Sequence, residues 1–168
     1  MRKLIFSKLF FLLILTVSLN VSAQESIEDA IQKYNSGSIS YISVEELKAK
    51  LFDGENLLLL DTRSKEEYEV SHLKNAIWIG YKKFDKDKVK NIDKDSKIIV
   101  YCSVGVRSEK IGEKLKALEF DNIQNLYGGI FEWINSGYPI YKNEKLTTKI
   151  HTFNKRWEQY IKQGEKVN

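Results

Sequence analysis

The sequence predicts an α/β domain, a mainly parallel central sheet flanked by helices, and three observations carry that prediction. Leu57–Leu60 and Ile98–Val100 are unbroken apolar runs bounded by polar residues, the pattern of strands covered on both faces. Ser43–Glu46 and Ser64–Glu67 are Ser-x-x-Glu signatures, in which a serine side chain and a glutamate three residues on satisfy each other's end of a new helix. Strand-like and helix-like segments then alternate along the chain, as βαβ units require. A length of 168 residues, 42% of them hydrophobic and 12% aromatic, suffices for one domain with a real core.

Taken in order, Ile27 to Tyr34 has apolar residues at helical spacing and is broken by Gly37 and its serines. Ile39–Ile42 is a brief strand, and Ser43 opens a helix that runs to about Phe52. Asp53-Gly54 turns the chain into the strand at Leu57–Leu60, and Ser64 opens a second, short helix. Ala76–Ile79 is strand-like; Tyr81–Ile92 is charged, with Phe84 and Val89 as anchors. Lys97–Tyr101 is a buried strand. Arg107–Leu118 is a helix with Ile111, Leu115 and Leu118 on one face. Asn122–Leu126 is the last strand of the alternation, and Phe131–Ile134 a short helix. Beyond Pro139 the chain is polar, and Phe153, Trp157 and Tyr160 stand at helix-compatible spacing. Residues 144–168 are therefore expected to form a helical extension packed on the domain.

Charge and cysteine usage narrow the function. The formal net charge is +4. Arg2, Lys3 and Lys8 precede an apolar run, Leu9–Val17, and Val21-Ser22-Ala23 supplies the small residues of a cleavage site. Residues 1–23 are thus read as a secretory signal, with a retained membrane anchor as the alternative, and the protein as exported, periplasmic or secreted. Without those three basic residues the body stands near +1, with both signs interspersed, which gives no reason to expect a nucleic-acid partner. Membrane contact is expected only through the signal, if uncleaved. The chain holds one cysteine, Cys102. It can form no internal disulfide, and a lone thiol in an exported protein is a candidate reactive group.

Its position decides between a reactive and a buried structural thiol. Cys102 follows the strand at Lys97–Tyr101, and Ser103-Val104-Gly105-Val106-Arg107-Ser108 leads at once into a helix. In open α/β sheets ligands bind beyond the carboxyl ends of the strands. A helix start presents N–H groups without intrahelical partners and a positive dipole end, both of which favour a thiolate. Gly105 permits a positive backbone angle that lets the chain curl around the sulfur, and Arg107 adds a fixed cation with a fork of donors.

This loop resembles the active loop of the rhodanese superfamily, Cys-x-x-Gly-x-Arg. Further motifs stand in the same order: Leu59-Leu60-Asp61-Thr62-Arg63 is similar to its strand-end Asp-x-Arg, Glu67-Tyr68 with His72–Ala76 to its Glu-(Phe/Tyr)-x-x-x-His-Ile-x-Gly-Ala, and Tyr127–Trp133 with Gly137–Pro139 to its closing segment. The resemblance covers about Ile39 to Tyr141 and, with the signal read over 1–23, divides the chain into that signal, an N-terminal segment (24–38), a rhodanese domain (39–143) and the extension (144–168). Asn75 replaces the usual glycine, a mild change because Asn tolerates left-handed angles. Ser103 and Val104 are uncharged where thiosulfate-preferring members often carry basic residues.

The resemblance implies a sulfurtransferase. Cys102 takes sulfane sulfur from a donor such as thiosulfate or a persulfide, holds it as a persulfide among the loop N–H groups, and yields it to cyanide, a thiol or a protein acceptor. No metal or other cofactor is implied. Asp61 and Arg63 are expected to support the loop as an ion pair or cap, and His72 to make a structural hydrogen bond rather than act as a base. An alternative within the fold is a non-catalytic sulfur carrier or interaction module. A cysteine phosphatase or arsenate reductase is disfavoured, because those relatives carry one more residue between cysteine and arginine.

Overall fold

A computed structural model describes residues 25–168; the predicted export signal over residues 1–23 lies outside the described residues. Helix α1 (Ile27–Tyr34) is followed by β1 (Tyr41–Ile42), α2 (Val44–Phe52), β2 (Leu58–Asp61), α3 (Lys65–Val70) and β3 (Ile77–Trp78). Then come β4 (Ile98–Tyr101), α4 (Val106–Lys116), β5 (Ile123–Leu126) and α5 (Gly129–Asn135). The five strands form one parallel sheet in the order β1-β5-β4-β2-β3.

The unbroken apolar runs form the middle of this sheet because both faces are covered. Leu59, Ile99 and Tyr101 point into a core shared with α2, α5 and the C-terminal extension. Their neighbours Leu60, Ile98 and Val100 point the other way, against Ile111 and Leu115 of α4 and against Val89 of the charged crossover. Phe84 packs on the same side. The α4 face predicted from the sequence is therefore the face that meets the sheet. Ile39 is wholly buried but lies outside β1, against Gly112, where a Cβ would stand 2.7 Å from its Cγ1.

Both serine caps form, with a difference. Ser64 and Glu67 make the full reciprocal box at the start of α3. Ser43 Oγ accepts the Glu46 N–H at 3.1 Å, but Glu46 turns to Lys50 instead of closing the box. Asn75 adopts φ 59°, the left-handed angle its glycine-like place required.

The C-terminal extension is not the helix its aromatic spacing predicts. Ile140–Lys142 (β6) and Lys145–Thr147 (β7) pair antiparallel, and Lys149–His151 (β8) pairs in parallel with Glu165–Val167 (β9). A single 3₁₀ turn at Glu158–Tyr160 lies between β8 and β9. Local chemistry explains the difference. Asn143 and Glu144, at φ 46° and 63°, form a two-residue hairpin loop. Asn154 Oδ1 accepts the N–H groups of Arg156 and Trp157, a side-chain turn that competes with helix. Gly164 passes so close to Ile134 and the Thr148 carbonyl that a Cβ would lie within 3 Å of both. The expectation that the extension packs on the domain does hold: Ile150, Tyr160 and Ile161 are buried in the main core.

Candidate functional site

Strand β4 ends at Tyr101, and Cys102 stands just beyond it at the carboxyl edge of the sheet, 1% exposed. Helix α4 begins four residues later at Val106, and its N-cap residue, Gly105, is left-handed at φ 96° and offers no side-chain cap. The cap that is missing is supplied by sulfur, since the Gly105 N–H donates to Cys102 Sγ at 3.2 Å. Burial raises the pKa of the thiol. The Arg107 charge, the Ser108 hydroxyl and N–H, and the Val104 N–H outweigh that and hold it below the ordinary thiol value. Ser108 Oγ also donates to Asn125 Oδ1 at 2.7 Å, which ties it to β5.

Arg107 is clamped from one side. Its two terminal nitrogens donate to the two carboxylate oxygens of Glu67 at 2.8 and 2.7 Å, and Nη2 donates to Ser103 Oγ at 2.9 Å. Ser103 Oγ in turn donates to Glu67 Oε1 at 2.9 Å. Glu67 is 1% exposed. Burial raises its pKa, but the Arg107 hydrogen bonds and charge, the Arg63 charge and the Ser64 N–H pull it down to about 2. One carboxylate thus caps α3 and aims the arginine of the Cys102 loop. Its place in a capping box, legible in the sequence, concealed the second task.

The loop is held from behind by two further elements. The Gly105 carbonyl accepts from Asn125 Nδ2 at 2.8 Å and Asn35 Nδ2 at 3.0 Å, which ties it to β5 and to the end of α1. The first free N–H groups of α5, on Ile130 and Phe131, donate to the carbonyls of Cys102 and Ser103 at 2.9 and 3.0 Å. This requires backbone against backbone: a Cβ on Gly129 would lie 2.4 Å from the Cys102 oxygen. Beside the loop, wholly buried Glu109 accepts from the Ser36 N–H and hydroxyl and from Tyr41. Asn125, Glu109 and Asn35 carried no motif that pointed to the site.

The structure therefore gathers Cys102, Ser103, Gly105, Arg107 and Ser108 around one sulfur atom, with Val104 buried and Val106 half-buried beside them. Asp61 and Arg63 form a fully buried ion pair at 2.7 Å, and Arg63 also donates to the Ser71 carbonyl. They reach the site through Arg63's charge, which helps hold Glu67 ionised and opposes the charge on Arg107. His72 stacks on Tyr68 and places Nδ1 2.9 Å from the Leu73 carbonyl, so that nitrogen carries the proton and is committed elsewhere. Trp133 is core; Trp78 donates to the Arg63 carbonyl under the Lys88 ammonium. Among the described residues no group of His, Cys, Asp and Glu side chains has the arrangement of a metal site.

Fold and loop together define a class: a parallel α/β domain whose central strand ends on a cysteine wrapped in backbone N–H groups and backed by a clamped arginine. The chain belongs to the rhodanese-like domain family, whose model matches residues 43–136. It is 33% identical over 130 residues to a tRNA uridine(34) hydroxylase of Sodalis glossinidius, covering 72% of this chain and 36% of that protein. Across such curated relatives the chain spans between 31% and 47% of their length. Among solved structures, a Bacillus halodurans protein superposes with a TM-score of 0.58 at 25% identity, covering 70% of this chain and 87% of that one. A rhodanese-related protein of Thermoplasma volcanium gives 0.54 at 30% identity, covering 61% and 97%.

Proposed function

We propose that the protein is a sulfurtransferase that carries sulfane sulfur on Cys102. The observation that supports this most directly is the uncapped start of α4, where sulfur takes the place of a cap at 3.2 Å from the Gly105 N–H. A persulfide formed there places its added sulfur beside N–H donors and the helix dipole, which spread its charge. Transfer runs in two displacements. The Cys102 thiolate attacks the outer sulfur of a donor, whose remainder leaves with the bonding electrons; a thiol or cyanide then takes that sulfur and restores the thiolate.

The four residues between Cys102 and Arg107 leave a tight loop, suited to one sulfur atom rather than a tetrahedral phosphate. The hydroxylase relatives are named for an action on tRNA, yet the chain spans only 31% to 47% of their length, and its body stands near neutral charge. That balance does not favour a polyanionic substrate.

The test is thiocyanate formation from thiosulfate or an organic persulfide plus cyanide, beside Cys102→Ser, with mass spectrometry after donor treatment. The expected result is a protein one sulfur atom heavier and turnover that vanishes in the variant. A wild-type protein that neither gains the sulfur nor forms thiocyanate overturns the reading. A stable persulfide that moves to a protein but not to cyanide replaces it with the carrier.

A further inference from the structure

We propose that Phe153, in the C-terminal extension, determines which donors reach the site: it disfavours small oxyanions such as thiosulfate and favours a carbon-bound persulfide. The inference rests on the reading of Cys102 as the sulfur-bearing atom. Arg107 is the cation of the active loop that an anionic donor would seek. Three of its N–H donors are already committed to Glu67 and Ser103, and the carboxylate balances its charge. The Phe153 ring then lies over the guanidinium, its centroid 4.6 Å from Cζ, so an apolar face covers the surface on which an oxyanion would settle.

The ring is held in that position. Phe153 adopts φ 66°, a conformation uncommon for an aromatic residue. Its N–H donates to His151 Nδ1 at 2.9 Å, and its neighbour Thr152 is buried, with its N–H on the Val167 carbonyl and its hydroxyl bonded to Asn168. Strand β8 packs along α3, the helix that carries Glu67. Phe153 itself remains 44% exposed, which is open enough to meet a ligand. The exposed ring offers hydrocarbon where a dianion needs donors. A persulfide R–S–SH meets it on better terms. Its carbon chain lies against the ring while the Cys102 thiolate attacks the outer sulfur; the S–S bond breaks, R–S⁻ leaves with the electron pair, and Cys102–S–SH remains, with no net oxidation.

Cys102 is the chain's single cysteine, so its alkylation rate reports access without any sulfur transfer. Rates with iodoacetate, an anion, and iodoacetamide, its neutral counterpart, should be compared in the wild type, Phe153→Ala and Phe153→Leu. Phe153→Ala is expected to raise the iodoacetate-to-iodoacetamide ratio about 5-fold, a gain that salt screens, and Phe153→Leu, which keeps an apolar cover, about 2-fold or less. In turnover the same variant should raise kcat/KM for thiosulfate relative to an organic persulfide by a similar factor, through KM. An unchanged alkylation ratio in a folded Phe153→Ala protein overturns the proposal. So does an altered alkylation ratio with unchanged donor preference. Absence of sulfur transfer in the wild type refutes the functional reading instead, and the alkylation ratio still decides whether Phe153 screens Arg107.

Discussion

A thiolate without solvent needs stabilising groups that cannot turn away, and around Cys102 most of them are backbone or are themselves clamped. Arg107 is of the second kind, a long side chain whose value depends on the Glu67 carboxylate that fixes it at 2.7 and 2.8 Å. That pair also sets a pH dependence. Glu67 is depressed from an ordinary 4.5 to about 2, so its contribution to stability is fully present above its unfolded value. It is lost as pH falls from about 4.5 towards 2, on the order of 3 kcal/mol in all. Glu67→Gln is expected to be less stable near pH 7 and to lose less on acidification. Denaturant midpoints at about pH 7, 5 and 3 measure both; parallel losses in the two proteins would show that another carboxylate governs the acid limb. The variant should also move the pH midpoint of Cys102 alkylation, since Arg107 loses its anchor.

At the scale of elements, the contact between α5 and the Cys102 loop is backbone against backbone and permits no side chain. Gly129 at φ 56° would place a Cβ 2.4 Å from the Cys102 oxygen and 2.7 Å from the Ser103 carbonyl. Gly137, at φ 78°, has nothing within 4 Å. Gly137→Ala should therefore cost only the left-handed backbone penalty, about 1 kcal/mol, while Gly129→Ala should cost about 3 kcal/mol or more and disturb the loop. Chemical denaturation separates them, and equal losses would mean that the loop yields. The sequence made the alternation of strands and helices legible because Leu58–Asp61 and Ile98–Tyr101 are covered on both faces and carry that burial in their own residues. The Cys102 loop was legible for a similar reason, its chemistry being contiguous. The Gly129 contact was not, because it joins residues 27 apart in sequence number through their main chains. Phe153, Trp157 and Tyr160 misled for the opposite reason: their spacing fits a helix face, yet Asn154 bonds the turn and sends Phe153 outwards to Arg107 while Tyr160 turns in.

On the scale of the molecule, the extension and the site belong to one packed body, with α5 as the strut between them. At its far end α5 is tied to the extension. Asn135 donates to the Tyr160 carbonyl at 2.8 Å and accepts the Lys162 N–H at 2.7 Å, and Gln163 donates to the Asn135 carbonyl. At its near end the N–H groups of Ile130 and Phe131 hold the Cys102 and Ser103 carbonyls. Between the two ends, Ile130, Phe131, Trp133 and Ile134 share a core with Ile150 and Ile161. A loosely attached tail would melt first and leave the sheet's own transition unmoved. Here Ile150, fully buried in that core, should behave as a core residue: Ile150→Ala is expected to cost about 3 kcal/mol, within the range for a buried isoleucine cut to alanine. Leu60→Ala, in the opposite core, should shift the same single transition by a similar amount. Urea unfolding followed by tryptophan fluorescence and by far-ultraviolet dichroism makes the comparison. Coincident curves that both variants displace together establish one cooperative unit. An Ile150→Ala protein whose fluorescence changes early, with the dichroism midpoint where the wild type has it, would make the extension a separate layer and uncouple Phe153 from the fold that positions Arg107.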